Sequence, residues 1–192
     1  MVDVAVLSLI DYRAPLDLQL FHAINHLQAP WLDALSVALS SQIFLWLTAG
    51  VVCVSLWIRQ RRRALPTLLT AVVAVALTDW IGFAVLKPLF ARERPCYALP
   101  AGTFRQLVHI GHGGSLPSLH AANAFAFAFA ISLGRPRWAP YLYFLATLIA
   151  LSRVHLGVHW PSDLIGGAIW GTLVALLTHR LIRFAALRRA QG

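Results

Sequence analysis

The sequence predicts an all-α protein, an integral membrane helical bundle of five firm transmembrane helices plus an N-terminal interfacial or sixth helix. Three observations lead there. Of 192 residues, 59% are hydrophobic and only 12% charged, with a mean hydropathy of +0.69, whereas soluble domains are about one quarter charged. Apolar runs recur at or near the roughly 20 residues needed to cross a bilayer. The remaining charges gather between those runs rather than within them.

The runs follow in order. Residues 15–28 place Leu16, Leu20, Phe21, Ile24 and Leu27 largely on one helical face. This defines an amphipathic N-terminal segment, 15–40, that lies at the interface or continues through 31–39 as a sixth span. Residues 42–58, 65–86, 138–151 and 164–181 are spanning candidates, and 121–133 is shorter but uniformly apolar. Its "FAFAFA" string alternates with period two, yet a lone strand cannot satisfy its backbone in lipid, and alanine is the best helix former. Basic residues do not precede the first apolar stretch, so a cleaved signal peptide is not expected. Residues 1–192 read as a single membrane-embedded domain. Cys53, inside a span, and Cys96, in a loop, are expected to lie too far apart to pair.

A formal charge of +9 would suggest nucleic acid in a soluble chain; here topology explains it, and no nucleic acid partner is expected. The "RQRRR" cluster at 59–63 belongs in the cytoplasm by the positive-inside rule. Threading the spans from there also places Arg135, Arg137, Arg180, Arg183, Arg188 and Arg189 inside, ten of the sixteen Lys and Arg in all. Arg13, Lys87, Arg92, Arg94, Arg105 and Arg153 face outward. Headgroup contact accounts for Arg13, Arg92 and Arg105; the sequence around the other three says more.

Three clusters fall at that outer boundary. "KPLFARERP" carries Lys87 and Arg94, which are either snorkelling cations or an anion site. In "SLPSLH", Ser118 suits the N-cap of the next helix and puts His120 in its first turn, where unpaired N–H groups and the helix dipole favour an anion. "SRVHLGVHWPSD" carries Arg153, His159 and Asp163, with Pro161 suited to a helix start. Asp163 there complements the dipole or hydrogen-bonds one nitrogen of His159, leaving the other as a lone pair. His155, His159 and Asp163 at four-residue intervals also permit a metal face, although Gly157 and Pro161 argue against one continuous helix. Three cations, two histidines, an aspartate and a hydroxyl at one depth make a phosphate pocket.

Lys87, Arg94 and Pro95, then Pro117, Ser118 and His120, then Ser152, Arg153, His159 and Asp163 resemble the three-part pattern of the type 2 phosphatidic acid phosphatases: K-x6-R-P, P-S-G-H and S-R-x5-H-x3-D. The match spans 87–163, and the layout is most similar to bacterial undecaprenyl pyrophosphate phosphatases. Leu119 stands where the family has glycine, so its side chain must point away from the phosphate. The resemblance implies His159 as nucleophile, Asp163 as its orienting partner and His120 as proton donor. It implies Lys87, Arg94, Arg153, Ser118 and the Leu119 backbone as phosphate-binding groups, with no metal and no cofactor. It also implies a lipid phosphate or pyrophosphate substrate, drawn from the bilayer at the periplasmic or extracellular side of the inner (cytoplasmic) membrane. Undecaprenyl pyrophosphate is the favoured substrate, ahead of phosphatidylglycerol phosphate, phosphatidic acid and lipid A phosphate. A zinc hydrolase and an anionic-lipid transporter are the rival readings. The loop 96–114 is expected to form a lid or to read the headgroup, with His109 and His112 as polar loop residues rather than ligands. Asp79, inside a span, is expected to face the bundle interior, and Gly167 and Gly171 to allow close helix packing.

Overall fold

The computed structural model describes residues 15–111 and 113–191, without the side chains of 189–191. Arg13, His112 and the Arg189 side chain therefore lie outside the described residues. Those residues form helices and connecting turns, with no strand among them. The elements are α1 (Pro15–Asn25), α2 (Pro30–Ser40), α3 (Gln42–Gln60), α4 (Leu65–Ile81), α5 (Lys87–Phe90), α6 (Pro95–Ala98), α7 (Leu119–Gly134), α8 (Ala139–His155) and α9 (Pro161–Gln191).

Helix α7 is the hub, with α4, α8 and α9 all packed on it. The alanines of its "FAFAFA" string explain why. Ala126, Ala128 and Ala130 are fully buried, and their small side chains let neighbouring helices close in from several directions. The closest approach is on the α9 side. A Cβ at Gly167 would come 2.5 Å from the Ser118 carbonyl oxygen, and one at Gly171 would overlap the Ala122 carbonyl oxygen. The G-x-x-x-G pair therefore sets the α7–α9 distance, as its spacing predicts.

The N-terminal segment is two short helices rather than one continuous helix. The chain leaves helix after Asn25, and Pro30 opens α2. Each helix has 11 residues, about 16 Å of rise against a hydrocarbon core of roughly 30 Å. The buried face of α1 also differs from the apolar one: Asp17, Phe21 and Asn25 point inward, while Leu16, Leu20 and Leu27 remain exposed. Polar groups win that face because each has partners across the fold, described below.

Spanning length is only partly met. By length and composition, 42–98 and 161–188 qualify as membrane spans, and α7 is apolar but shorter. With 16 residues it rises about 24 Å. Large apolar side chains cover the outside of the bundle, among them Ile43, Trp46, Phe83, Tyr141 and Phe144, where a protein in water would carry charge.

After Ile81 the α4 axis continues through a π-helical turn, Gly82–Leu86, into α5. Helix α5 ends at Phe90, and Ala91 turns left-handed at φ 44°. Lys87 and Arg94 therefore do not share one helix. The two ends of the bundle carry different chemistry. Gln60 donates to the Gly134 carbonyl at 2.7 Å, which brings the 59–63 arginines beside Arg135. The three motifs meet at the opposite end. Asp79 does not face the interior. It is exposed and accepts a hydrogen bond from Asn123 Nδ2 at 2.8 Å. Cys53 and Cys96 are free.

Candidate active site

The chain reverses between α8 and α9 through Leu156–Trp160. Gly157 makes that turn at φ +79°, a region glycine enters without Cβ strain. The turn delivers His159, while Pro161 starts α9 and sets Asp163 in its first turn. His159 Nδ1 lies 3.2 Å from Asp163 Oδ2. Arg94 Nη1 lies 2.9 Å from His159 Nε2. A guanidinium only donates, so Nε2 is the acceptor with a lone pair and Nδ1 carries the proton. Burial, helped by the Arg94 and Arg153 cations, pushes His159 down to about 3 against the pull of Asp163. It is a neutral base at physiological pH.

Asp163 is fully buried and both of its oxygens are occupied. Oδ2 also accepts from the Trp160 amide at 2.8 Å and from Ser115 Oγ. Oδ1 accepts from Arg92 Nη1 at 2.7 Å. Arg92 is not a headgroup contact. It is buried, and its other arm meets Asp17 Oδ2 at 2.5 Å. Removing one partner of such a buried pair costs about 3–5 kcal/mol. Ser115, Arg92 and Asp17 are the site residues that sequence reasoning missed. Ser115 opens the "SLPSLH" string and Arg92 sits inside the Lys87 cluster, so proximity to the motifs was a signal for both. Asp17 carried none.

The cations are held by backbone and hydroxyl groups. Lys87 Nζ donates to the Gly114 carbonyl at 2.5 Å, and Gly114 lies so close over Lys87 that a Cβ there would come 2.8 Å from its carbonyl oxygen. Arg94 also donates to the carbonyls of Gly113 (3.1 Å) and Val158 (3.0 Å). Arg153 donates to Ser40 Oγ. The carbonyl of the same Ser40 takes His120 Nε2 at 3.1 Å, so His120 is anchored on α2 rather than on His159. Arg153, Arg94 and Lys87 nevertheless lie within electrostatic reach of His120. Ser118 occupies the N-cap position of α7 but its hydroxyl does not cap the helix. That hydroxyl is buried without a partner among the described residues, as a group reserved for a ligand would be. The Leu119 side chain turns away onto Gly82, with Cδ2 2.5 Å from where a Gly82 Cβ would sit. Beside Arg94 opens a cavity of about 330 Å³, lined by Arg92, Glu93, Tyr97, Gly113 and Gly114.

The metal face is not formed. His155 turns the other way, with Nε2 2.8 Å from Asp33 Oδ1 and Nδ1 3.2 Å from the Ile24 carbonyl. No group of three His, Cys, Asp or Glu able to hold a metal occurs among the described residues. Arg105 is likewise not a headgroup contact. It pairs with Asp33 at 2.5 Å and donates to the Leu27 carbonyl at 2.7 Å. The loop 96–114 is pinned at this point, because Asn25 bonds both the amide and the carbonyl of Arg105. His109 is exposed on it.

A proton-free imidazole nitrogen backed by a buried carboxylate, with lysine and arginines around it, suits phosphoryl transfer. Residues 67–186 match the PAP2 superfamily, and the chain belongs to that family. A lipid A 4'-phosphatase from Bacteroides thetaiotaomicron is 32% identical over 188 residues, covering 90% of this chain and 81% of its own. The putative undecaprenyl-diphosphatase YbjG of Escherichia coli is 32% identical over 165 residues, covering 84% and 80%. Among solved structures, Aquifex aeolicus LpxE superposes with a TM-score of 0.66 at 26% identity, covering 86% of this chain and 95% of that one. The PAP2-type phosphatidylglycerolphosphate phosphatase of Bacillus subtilis shares the fold, with a TM-score of 0.65 at 23% identity over 93% and 90%. The protein is a membrane-bound PAP2 lipid phosphatase, a phosphoric ester hydrolase.

Proposed function

We propose that this phosphatase removes phosphate from undecaprenyl pyrophosphate through a phosphohistidine at His159, without a metal. The observation that carries the reading is the pair of contacts on one imidazole: Nδ1 on Asp163 and a lone pair at Nε2 facing Arg94. In the first step Nε2 forms a bond to the terminal phosphorus as the bond to the leaving oxygen breaks. Arg94 transfers its N–H from Nε2 to a phosphoryl oxygen, joining Lys87, Arg153, the Ser118 hydroxyl and the N–H groups that open α7 at Leu119. Asp163 stabilises the imidazolium that results. His120 gives a proton to the leaving oxygen. For that step His120 is doubly protonated: Nε2–H stays on the Ser40 carbonyl, Nδ1–H goes to the leaving oxygen, and the ring returns to its neutral form with a lone pair at Nδ1. In the second step His120 takes a proton from water, the water oxygen attacks phosphorus, the P–N bond breaks and phosphate departs.

Within the membrane we place five spans, α3, α4 with its continuation to Phe90, α7, α8 and α9. The basic end at 59–63 and 135–137 lies in the cytoplasm and the active site on the periplasmic or extracellular side of the inner membrane. The charge asymmetry between the two ends supports this orientation. A pocket at that boundary reaches a headgroup while the prenyl tail stays in lipid.

The substrate follows the E. coli relative and the overall layout. Lipid A phosphate is the second reading, favoured by the Bacteroides relative's name and coverage. Purified protein assayed on undecaprenyl pyrophosphate, lipid A phosphate, phosphatidylglycerol phosphate and phosphatidic acid separates them. The expected result is a kcat/KM for undecaprenyl pyrophosphate at least about tenfold above the others, ~1.4 kcal/mol of transition-state preference, and unchanged in strong chelator. A preference for lipid A phosphate transfers the assignment to the second reading. Loss of activity in chelator ends the metal-independent mechanism.

A further inference from the structure

Helix α1 lies outside all three motifs, yet one of its side chains is built into the buried centre of the site. Asp17 Oδ2 meets Arg92 Nη2 at 2.5 Å, and Arg92 Nη1 meets Asp163 Oδ1 at 2.7 Å. Ser162 closes the group. Its amide donates to Asp17 Oδ1 at 2.9 Å and its hydroxyl to Asp17 Oδ2 at 2.6 Å, while Arg92 Nη1 reaches that hydroxyl at 2.6 Å. Asp17, Arg92, Ser162 and Asp163 are all largely withdrawn from solvent. Such an assembly does two things. It fixes the rotation of the Asp163 carboxylate, because Oδ1 is taken by Arg92 while Oδ2 faces His159. It also sets a charge: two carboxylates around one guanidinium leave the cluster with one net negative charge.

We propose that Asp17 and Arg92 are positioning residues for the reaction. Arg92 pins Asp163 in register with His159, and Asp17 supplies the second negative charge, which the reacting histidine then neutralises. The inference rests on the phosphohistidine reading. When Nε2 bonds phosphorus and Nδ1 keeps its proton, the imidazole becomes cationic, and in a site shielded from water a neighbouring unbalanced negative charge favours that state more than it would in solvent. Without Asp17 the Arg92–Asp163 pair is neutral, and the imidazolium loses that support. The N-terminal helix is then a working part of the active site and not only a membrane-surface anchor.

The test is a double-mutant cycle on full-length protein. Phosphate release and inhibition by inorganic phosphate are measured for wild type, Asp17→Asn and Ser162→Ala, each alone and combined with Asp163→Asn. Asp17→Asn is expected to lower kcat about tenfold and Ser162→Ala about threefold. The phosphate inhibition constant should stay within about twofold, because Lys87, Arg94 and Arg153 are untouched. With Asp163→Asn already present, either change should cost less than about twofold. A residue that served folding alone would lower activity by the same factor in both backgrounds. That result, an unchanged kcat in Asp17→Asn, or weakened phosphate inhibition in step with kcat would overturn the proposal. If Asp17→Asn does not fold, Ser162→Ala carries the same cycle. His159→Ala measured alongside keeps the two readings apart. Activity retained there removes the phosphohistidine mechanism itself, whereas activity lost there with a normal Asp17→Asn removes only the role of α1.

Discussion

His159→Gln is expected to lower kcat for phosphate release by about 10⁴-fold, the scale seen when a member of a catalytic triad is removed. The glutamine amide can still bridge toward Arg94 and Asp163, so the buried carboxylate keeps a partner and the fold should survive. What disappears is the Nε2 lone pair. Because burial holds His159 near 3, wild type does not lose its free base on mild acidification. The comparison can therefore be made at neutral and mildly acidic pH with the attacking nitrogen free in wild type. A variant that retained more than about 1% of wild-type kcat, purified as a monodisperse protein, would mean that another group attacks phosphorus.

Gly157→Ala is expected to be strongly destabilising. Gly157 sits at φ +79°, where an L side chain costs about 1–2 kcal/mol. The new Cβ would also overlap the Arg105 carbonyl oxygen and come 3.3 Å from Asn25 Nδ2. Neither can easily retreat. Asn25 Nδ2 donates to the carbonyls of Arg105 (2.8 Å) and His155 (2.9 Å), and Leu107 donates to the Leu156 carbonyl at 3.2 Å. Overpacking of this kind costs a further 1–3 kcal/mol or so. The thermal midpoint in detergent should fall by roughly 10 °C. The residual activity at low temperature should drop as well, because His159 is two residues along the same turn. An unchanged midpoint would show that the turn and the 104–107 loop are not packed as described.

The helices and the candidate site groups were legible in the sequence for different reasons. Composition and run length identified the helical bundle because a membrane offers the backbone few other solutions. The family resemblance pointed to His159, Asp163, Arg94 and Lys87, and the structure brings them to one end of the bundle because each motif is local and its residues get there by short paths along one turn or one helix end. What stayed hidden depends on distant pairing. Arg92 looks like a headgroup contact, and Asp17 carries no signal at all, until α1 docks beside α9. His155 looks like a ligand at i−4 from His159 until α8 ends and Gly157 turns the chain. The apolar face of α1 misled for the same reason. Leu16 and Leu20 point outward, and the protein-facing side combines Phe21 with Asp17 and Asn25, whose partners are more than seventy residues away in the chain. Leu119 was the reverse case. The sequence required its side chain to leave the pocket, and the space that receives it is supplied by Gly82 at the π-helical turn.

The most direct measurement is the chemical identity of the phosphorylated enzyme. Wild-type protein mixed with terminally labelled lipid pyrophosphate, quenched within one turnover and digested should carry label on the peptide containing His159, released by acid and stable to alkali as a phosphoramidate is. Label on Ser118, on Asp163 or on any other side chain, or complete hydrolysis with no labelled protein at any time, would contradict the account.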